Sequence, residues 1–545
     1  MLNEILNSMT LEEKVGQMCV PILQSDYITD EIKRAITEYK VGMIRYCPDA
    51  EFDNASVVVG EPNKYFLPGE NAEFLNELQK LSKLPLIISV DQEGGCRSDI
   101  NRNNAMVYSS HMCFGVADDT DLTYEVTKAT AAEFRSMGIN QIQSPICDVF
   151  RYSGRQTMKA ATFGENAEDV ARHVVAMKRG FRDGGVLSMG KHFPGYGSIA
   201  TDAHKGTAHI TKTVEELEKE DIVPFKKLID DGVDGIMMGH VIVDAIDPKY
   251  PATLSRTLTT GYLREKLGFK GIIMTDAMRM KAIQDNYGTG AASVMAIQAG
   301  CDLVLLRGDE QHFLDGYNAI LAAAKSGEIS EEVLNASVLR ILKAKKDAGL
   351  FDDRFADPAK AEATVGTKEH KELLAELASK SISVYREKLM PLKANDGKKI
   401  SVISVEPQKI YAAMDEKQCV DMLQKEIAAI HENTNGVVIK LDPDKADIDL
   451  AVETAKDADI IVLGMCSGII FRNQVPLYEA LKALGKDMII VAMESPCDIE
   501  LVPECTDYIA TYGAARDWIR VAAQRMFGLT DINAKAPITI PGVND

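Results

Sequence analysis

The chain has 545 residues, is 46% hydrophobic and carries a formal net charge of −20. That length exceeds what one hydrophobic core supports, and the apolar fraction excludes a disordered or collagen-like chain. The acidic excess excludes nucleic acid and anionic membrane as partners, since both call for clustered Lys and Arg.

The first 18 residues are amphipathic and acidic, with neither a basic leader nor a continuous apolar segment, so no signal peptide is expected. Short runs rich in Ile, Val, Leu and Met follow at 41–46, 85–91, 142–149, 186–192, 235–240, 271–276 and 302–306. Continuous apolar runs of this length suit parallel strands buried on both faces. Segments at helical period lie between them, among them 71–81, 121–137, 167–183 and 214–230. Seven such repeats predict a TIM-type (β/α) barrel over 1–350 with one strand weak or unread. A linker with a helix at 368–381 is expected over 351–397. The alternation then restarts at 400–405, 437–441, 460–465, 488–493 and 508–512, which suits a smaller doubly wound α/β sandwich domain over 398–545. No run of about 20 apolar residues exists to span a membrane. The ten cysteines include no CxxC pair. Reduced buried thiols and a soluble, cytoplasmic protein are therefore expected.

Barrel enzymes carry their chemistry where strands end. The last residues of the expected strands include Asp91, Asp148, Lys191 with His192, His240 and Asp276. Either Asp148 or Asp276 alone reads equally well as a helix cap, and His240 alone as a hydrogen-bonded structural histidine. Together on one rim they point to an enzyme. The densest segment is GKHFPGYGSIATDAHKG (190–206), where Asp202 and His204 stand two residues apart. A carboxylate against an imidazole fixes its tautomer and raises its basicity, as an acid/base histidine requires. His192, His204 and His209 match no familiar zinc spacing, so no metal and no cofactor is expected.

These residues carry a resemblance. MTLEEKVGQM near the start, DQEGG (91–95), KHFPGYGSIATDAHKG (191–206), MMGHVIVDAIDPKYPATLS (237–255), MTDAMRMKAI (274–283) and MPLK (390–393) follow one another as in the β-N-acetylglucosaminidase branch of glycoside hydrolase family 3, which the chain resembles nearly end to end. The resemblance implies that Asp276 is the nucleophile of a retaining mechanism and His204 the general acid/base with Asp202 as its dyad partner. It further implies that Asp91, Lys191 and His192 hold the sugar hydroxyls. A small glycoside, such as a peptidoglycan or chitin fragment, is the expected substrate. An imidazole in place of the second carboxylate suits proton transfer near neutrality without help from burial. It also repels an incoming anion less, which leaves a phosphorylase as a variant; a β-glucosidase is another.

The chain departs from the branch at several positions. Cys96, Asp99 and Ala161 stand where the branch carries arginines, with Arg151 and Arg155 near the last; Tyr196 and Ala203 replace a His and a Ser. These changes motivate a rival reading as a non-catalytic glycan-binding protein, and Lys191 as a Schiff-base nucleophile is a third. In the second domain Asp449, Cys466, Arg472 and Glu494 are the polar residues that could approach the barrel mouth, where a structural role is expected.

Overall fold

A computed structural model describes residues 1–25, 27–48, 67–95, 98–100, 105–199, 206–406 and 421–545. The first unit is a parallel barrel. Its strands are β1 (Cys19–Leu23), β2 (Met43–Tyr46), β3 (Ile87–Val90), β4 (Gln141–Ile142), β5 (Leu187–Phe193), β7 (Gly235–Met238), β9 (Ile272–Thr275) and β10 (Val304–Leu306). They neighbour one another in the order β10-β1-β2-β3-β4-β5-β7-β9. The Thr275 N–H, donating to Leu303 O at 3.0 Å, closes the ring between β9 and β10. A separate two-stranded parallel ribbon joins β6 (Ala208–Ile210) to β8 (Val241–Val243).

The strand unread in the sequence is β1. It follows the helix Leu11–Met18 with no intervening turn, so CVPIL merges with the apolar face of that helix. The run at 142–149 forms far less strand than its composition suggests. Pro145 has no N–H for the ladder, and pairing resumes only at the Ile146–Lys191 bridge. The stretch read as one helix over 214–230 is two, Val214–Lys219 and Ile222–Asp230. Pro224 explains the break, because it is tolerated in a first turn but not within a continuous helix.

The second sheet has the order β11-β16-β15-β14-β12-β13. Its strands are β11 (Ser383–Arg386), β12 (Ile400–Val405), β13 (Thr434–Ile439), β14 (Ile460–Met465), β15 (Asp487–Ala492) and β16 (Asp507–Ala510). All pair in parallel except β11, which runs antiparallel to β16 from inside the segment expected to be linker. The helix Lys368–Lys380 packs on the barrel helix Thr120–Ser136 on one side and on Arg516–Met526 of the second unit on the other. Trp518 is fully buried there, and its indole N–H donates to Ser381 Oγ at 2.8 Å. Among the described residues, no helix is long and apolar enough to cross a membrane.

Candidate functional site

The charged residues collect at the C-terminal ends of β2, β3, β5 and β9. Asp91 directly follows β3, and β5 carries Lys191 and His192 just before its last residue. Lys191 Nζ lies 2.6 Å from Asp91 Oδ1 and 2.5 Å from Glu93 Oε1. The other oxygen of Asp91 is paired with Arg45 of β2, whose guanidinium also pairs with Asp99. Burial opposes ionisation of Asp91, yet Arg45 and Lys191 outweigh it and hold the carboxyl well below the usual range. Burial likewise disfavours the Lys191 ammonium, but Asp91 and Glu93 prevail and keep it charged. Burial, with the Asp91 charge behind it, raises Asp99 despite Arg45. A charged lysine is a hydrogen-bond donor and not a Schiff-base nucleophile, so the aldolase alternative loses its reacting group.

His192 is oriented by a carboxylate of its own. Its Nδ1 lies 2.9 Å from Asp148 Oδ2, while Asp148 Oδ1 accepts the Tyr196 N–H at 2.6 Å. Asp148 is fully buried, so it fixes the imidazole from behind and does not reach the mouth. The Tyr196 ring stacks on His192 with centroids 4.8 Å apart, and its hydroxyl accepts the His240 N–H at 2.5 Å. His240 is itself fully buried, with Nδ1 2.8 Å from Thr253 Oγ1 and Nε2 3.1 Å from Ala277 O. It is a structural histidine. Its bond to Ala277 holds the turn next to Asp276.

Asp276 follows directly on β9. Its N–H donates to Met238 O at 3.1 Å and its Oδ1 accepts the Ala277 N–H at 2.7 Å. The side chain is part-exposed. Asp202, His204 and Cys96 lie outside the described residues. Before residues 200–205, Ser153 Oγ donates to Ser198 O at 2.9 Å; after them, Thr207 Oγ1 accepts from Asn286 Nδ2 at 3.4 Å. Asn286 belongs to the helix Lys281–Tyr287 that follows the Asp276 turn. His209 pairs with Asp244 at 2.9 Å on the surface. Among the described residues no cluster of His, Cys, Asp and Glu has the makings of a metal site.

The arginines near Ala161 are engaged elsewhere. Arg151 pairs with Glu220 at 2.8 Å, and Arg155 lies 3.2 Å from Glu500 of the second domain and over the Tyr152 ring. The second domain meets the rim through Glu494, which lies 3.3 Å from Lys159 of the barrel. Cys466 Sγ is 3.8 Å from the same carboxylate, whereas Arg472 is exposed and Asp449 pairs with Lys445 on the surface. Sequence reasoning passed over Arg45. Its one signal was a cation inside the otherwise apolar run at 41–46, next to the strand end.

A closed parallel barrel whose charged groups gather past the strand ends, with an α/β domain set against that rim, defines a two-domain barrel enzyme. Residues 10–344 match the glycosyl hydrolase family 3 N-terminal domain. Beta-hexosaminidase A of Pseudoalteromonas piscicida is 29% identical over 469 residues, covering 77% of this chain and 76% of that one. A beta-hexosaminidase of Nitrosomonas eutropha is 33% identical over 257 residues, covering 45% of this chain and 71% of its own length. The solved glycoside hydrolase family 3 beta-N-acetylglucosaminidase from Paenibacillus sp. superposes with a TM-score of 0.88 at 29% identity, over 98% of this chain and 99% of that one. A beta-glucoside phosphorylase shares the fold at 22% identity, with a TM-score of 0.82 over 99% and 96% of the two chains. The chain belongs to glycosyl hydrolase family 3, in its β-hexosaminidase branch, and is a glycoside hydrolase.

Proposed function

We propose that the protein is a retaining, exo-acting β-N-acetylglucosaminidase for small amino-sugar glycosides such as peptidoglycan or chitin fragments. Asp276 attacks the anomeric carbon and forms a glycosyl-enzyme intermediate. His204, backed by Asp202, protonates the leaving oxygen and then takes the proton from water. Asp91, Lys191 and His192 hold the hydroxyls of the terminal sugar. The observation that carries this reading is the part-exposed Asp276 carboxylate, fixed at the end of β9 on the same rim as the Asp91–Lys191–Glu93 and Asp148–His192 groups. One lysine-braced carboxylate cluster, one carboxylate-oriented imidazole and one part-exposed carboxylate suit a polar, uncharged substrate whose reacting centre meets a nucleophile. Similarity to β-hexosaminidases and to a β-N-acetylglucosaminidase supports N-acetylglucosamine as the sugar. The eight described cysteines, all buried free thiols, support a reducing, cytoplasmic setting.

The test is hydrolysis of aryl β-glycosides of N-acetylglucosamine, glucose, xylose and galactosamine, each with and without phosphate. Wild type is expected to cleave the N-acetylglucosaminide best, and Asp276→Ala to lose about 10³-fold or more in kcat. Equal activity in the two proteins would exclude Asp276 as nucleophile. Release of sugar 1-phosphate only in phosphate would make the enzyme a phosphorylase, and binding without turnover would make it a glycan sensor.

A further inference from the structure

Arg45 has no place in the reading above, yet it pairs with two carboxylates at the barrel mouth. We propose that Arg45 is a positioning residue for the sugar subsite, acting through Asp91, with Asp99 as the counter-charge that aims its guanidinium. This deepens the glycosidase reading and rests on it.

Three groups converge on Asp91, with Glu93 behind Lys191, and of the five side chains only Asp91 is substantially open. Its side chain is 25% exposed, against 5% for Arg45, 0% for Asp99, 2% for Lys191 and 9% for Glu93. The guanidinium spans two carboxylates: Nη2 pairs with Asp91 Oδ2 and Nη1 with Asp99 Oδ2, while Nη1 also donates to Tyr46 O at 2.9 Å. Lys191 takes the remaining oxygen of Asp91. Each Asp91 oxygen therefore has a cation of its own, which fixes the carboxylate plane and leaves each oxygen lone-pair capacity for a sugar hydroxyl.

Asp99 completes a closed figure. The Asp91 N–H donates to Asp99 Oδ2 at 2.5 Å, and the Asp99 N–H donates to Asp91 O at 2.9 Å. Asp99 thus clamps the main chain of Asp91 and, through Arg45, its side chain as well. A lysine at 45 could not do this, because one ammonium lacks the planar fork that meets two carboxylates at once. Position 99, where the resemblance calls for arginine, carries a carboxylate here, and the guanidinium comes from β2 instead. Among the described residues, the charged groups facing Asp91 are Arg45 from β2, Lys191 from β5, and Asp99 from its own loop; Glu93 acts through Lys191. Burial, with the Asp99 carboxylate, raises the neighbouring Cys47 thiol, against Arg45 and Arg307.

The simpler alternative is that Arg45 only neutralises the buried Asp99. The variants Arg45→Met, Arg45→Lys and Arg45→Met/Asp99→Asn separate the two, each measured for thermal stability, for kcat and KM on the aryl β-glycoside that wild type cleaves best, and for the pH profile of kcat/KM. Arg45→Met is expected to lower stability and raise KM at least tenfold with a smaller change in kcat. It should also move the acid limb of kcat/KM to higher pH, since Asp91 loses one of the two cations that keep it ionised. Arg45→Lys should behave in the same direction. The double variant removes the stranded buried charge, so it should regain stability while keeping the raised KM and the displaced acid limb. Recovery of KM together with stability in the double variant would overturn the proposal, as would an unchanged KM in Arg45→Met. Failure of the glycosidase reading would look different: wild type and Asp276→Ala would be alike on every substrate.

Discussion

Lys345, on the helix Glu331–Asp347, is fully buried, and its ammonium donates to Gln17 Oε1 at 2.6 Å. Burial with no carboxylate partner lowers this lysine from 10.5 to about 7. The unfolded chain, with its lysine at the ordinary value, binds the proton more tightly than the folded one. Stability therefore rises with pH between about 7 and about 10.5, at up to ~1.4 kcal/mol per pH unit for this group. Lys345→Met removes the term. Its gain in melting temperature over wild type should be largest at pH 7 and should shrink steadily towards pH 10; a gain independent of pH would mean that another group titrates. The same residue-by-residue view shows what the sequence made legible at the mouth. Asp91, Lys191, His192 and Asp276 could be read because each ends an apolar run, where a polar residue has no packing reason to stand. Arg45 escaped notice because it lies one residue inside its strand. Its partners Asp91 and Asp99 are 46 and 54 residues away, distances that only the barrel closes.

Elements were legible where burial writes a simple pattern. The core strands β12 and β14 fall where their apolar runs place them, at Ile400–Val405 and Ile460–Met465, because both faces are covered and every position is apolar or small. The edge strand β11, Ser383–Arg386, has three half-buried residues and no such run, so it read as linker. The KHFPGYG loop is legible for a different reason: its glycines answer to backbone contact. A Cβ on Gly197 would stand 1.7 Å from Val149 O, whereas one on Gly206, across the 200–205 segment, would meet nothing within 4 Å. The Arg151 N–H also donates to Gly197 O at 3.0 Å, so the loop lies flat on the chain that continues β4. Gly197→Ala must lift the loop from that seat. The expected result is a lower melting temperature and at least a tenfold loss of kcat/KM, because the loop leads into Asp202 and His204. Gly206→Ala should stay within about 0.5 kcal/mol of wild-type stability, as an open surface position does. Equal effects at the two glycines, in a chemical unfolding series and a turnover assay, would show that the seat on Val149 does not matter.

For the molecule as a whole, the question is what fixes the second domain to the barrel mouth. The C-terminal segment returns to the barrel: Thr539 donates through N–H and Oγ1 to Glu165 at 2.8 and 2.7 Å. Beside the Arg155–Glu500 pair, the rim contact includes the buried Lys159–Glu494 pair, with Ser467 Oγ also donating to Glu494. Asp498 lies behind it, accepting the Gly468 and Ile469 N–H groups at 3.0 and 2.9 Å. Burial, with Glu494 adding to it, pushes Asp498 up to about 7, and Lys159 is the cation that opposes the rise. A folded-state value above the unfolded one means stability that is present below about pH 4 and lost as the pH rises through about 7. Lys159→Met leaves two buried carboxylates without their cation. It should cost about 3–5 kcal/mol near neutrality, the usual penalty for breaking a buried pair from one side. The cost should be smaller at pH 5, where Asp498 takes up a proton. Lys159→Met/Glu494→Gln removes the uncompensated charge and should recover most of the loss at pH 8. Urea unfolding of both variants at pH 5 and pH 8 measures all four quantities. A Lys159→Met penalty that is the same at the two pH values, or is not relieved by Glu494→Gln, would mean that contacts other than this ion pair hold the domains together.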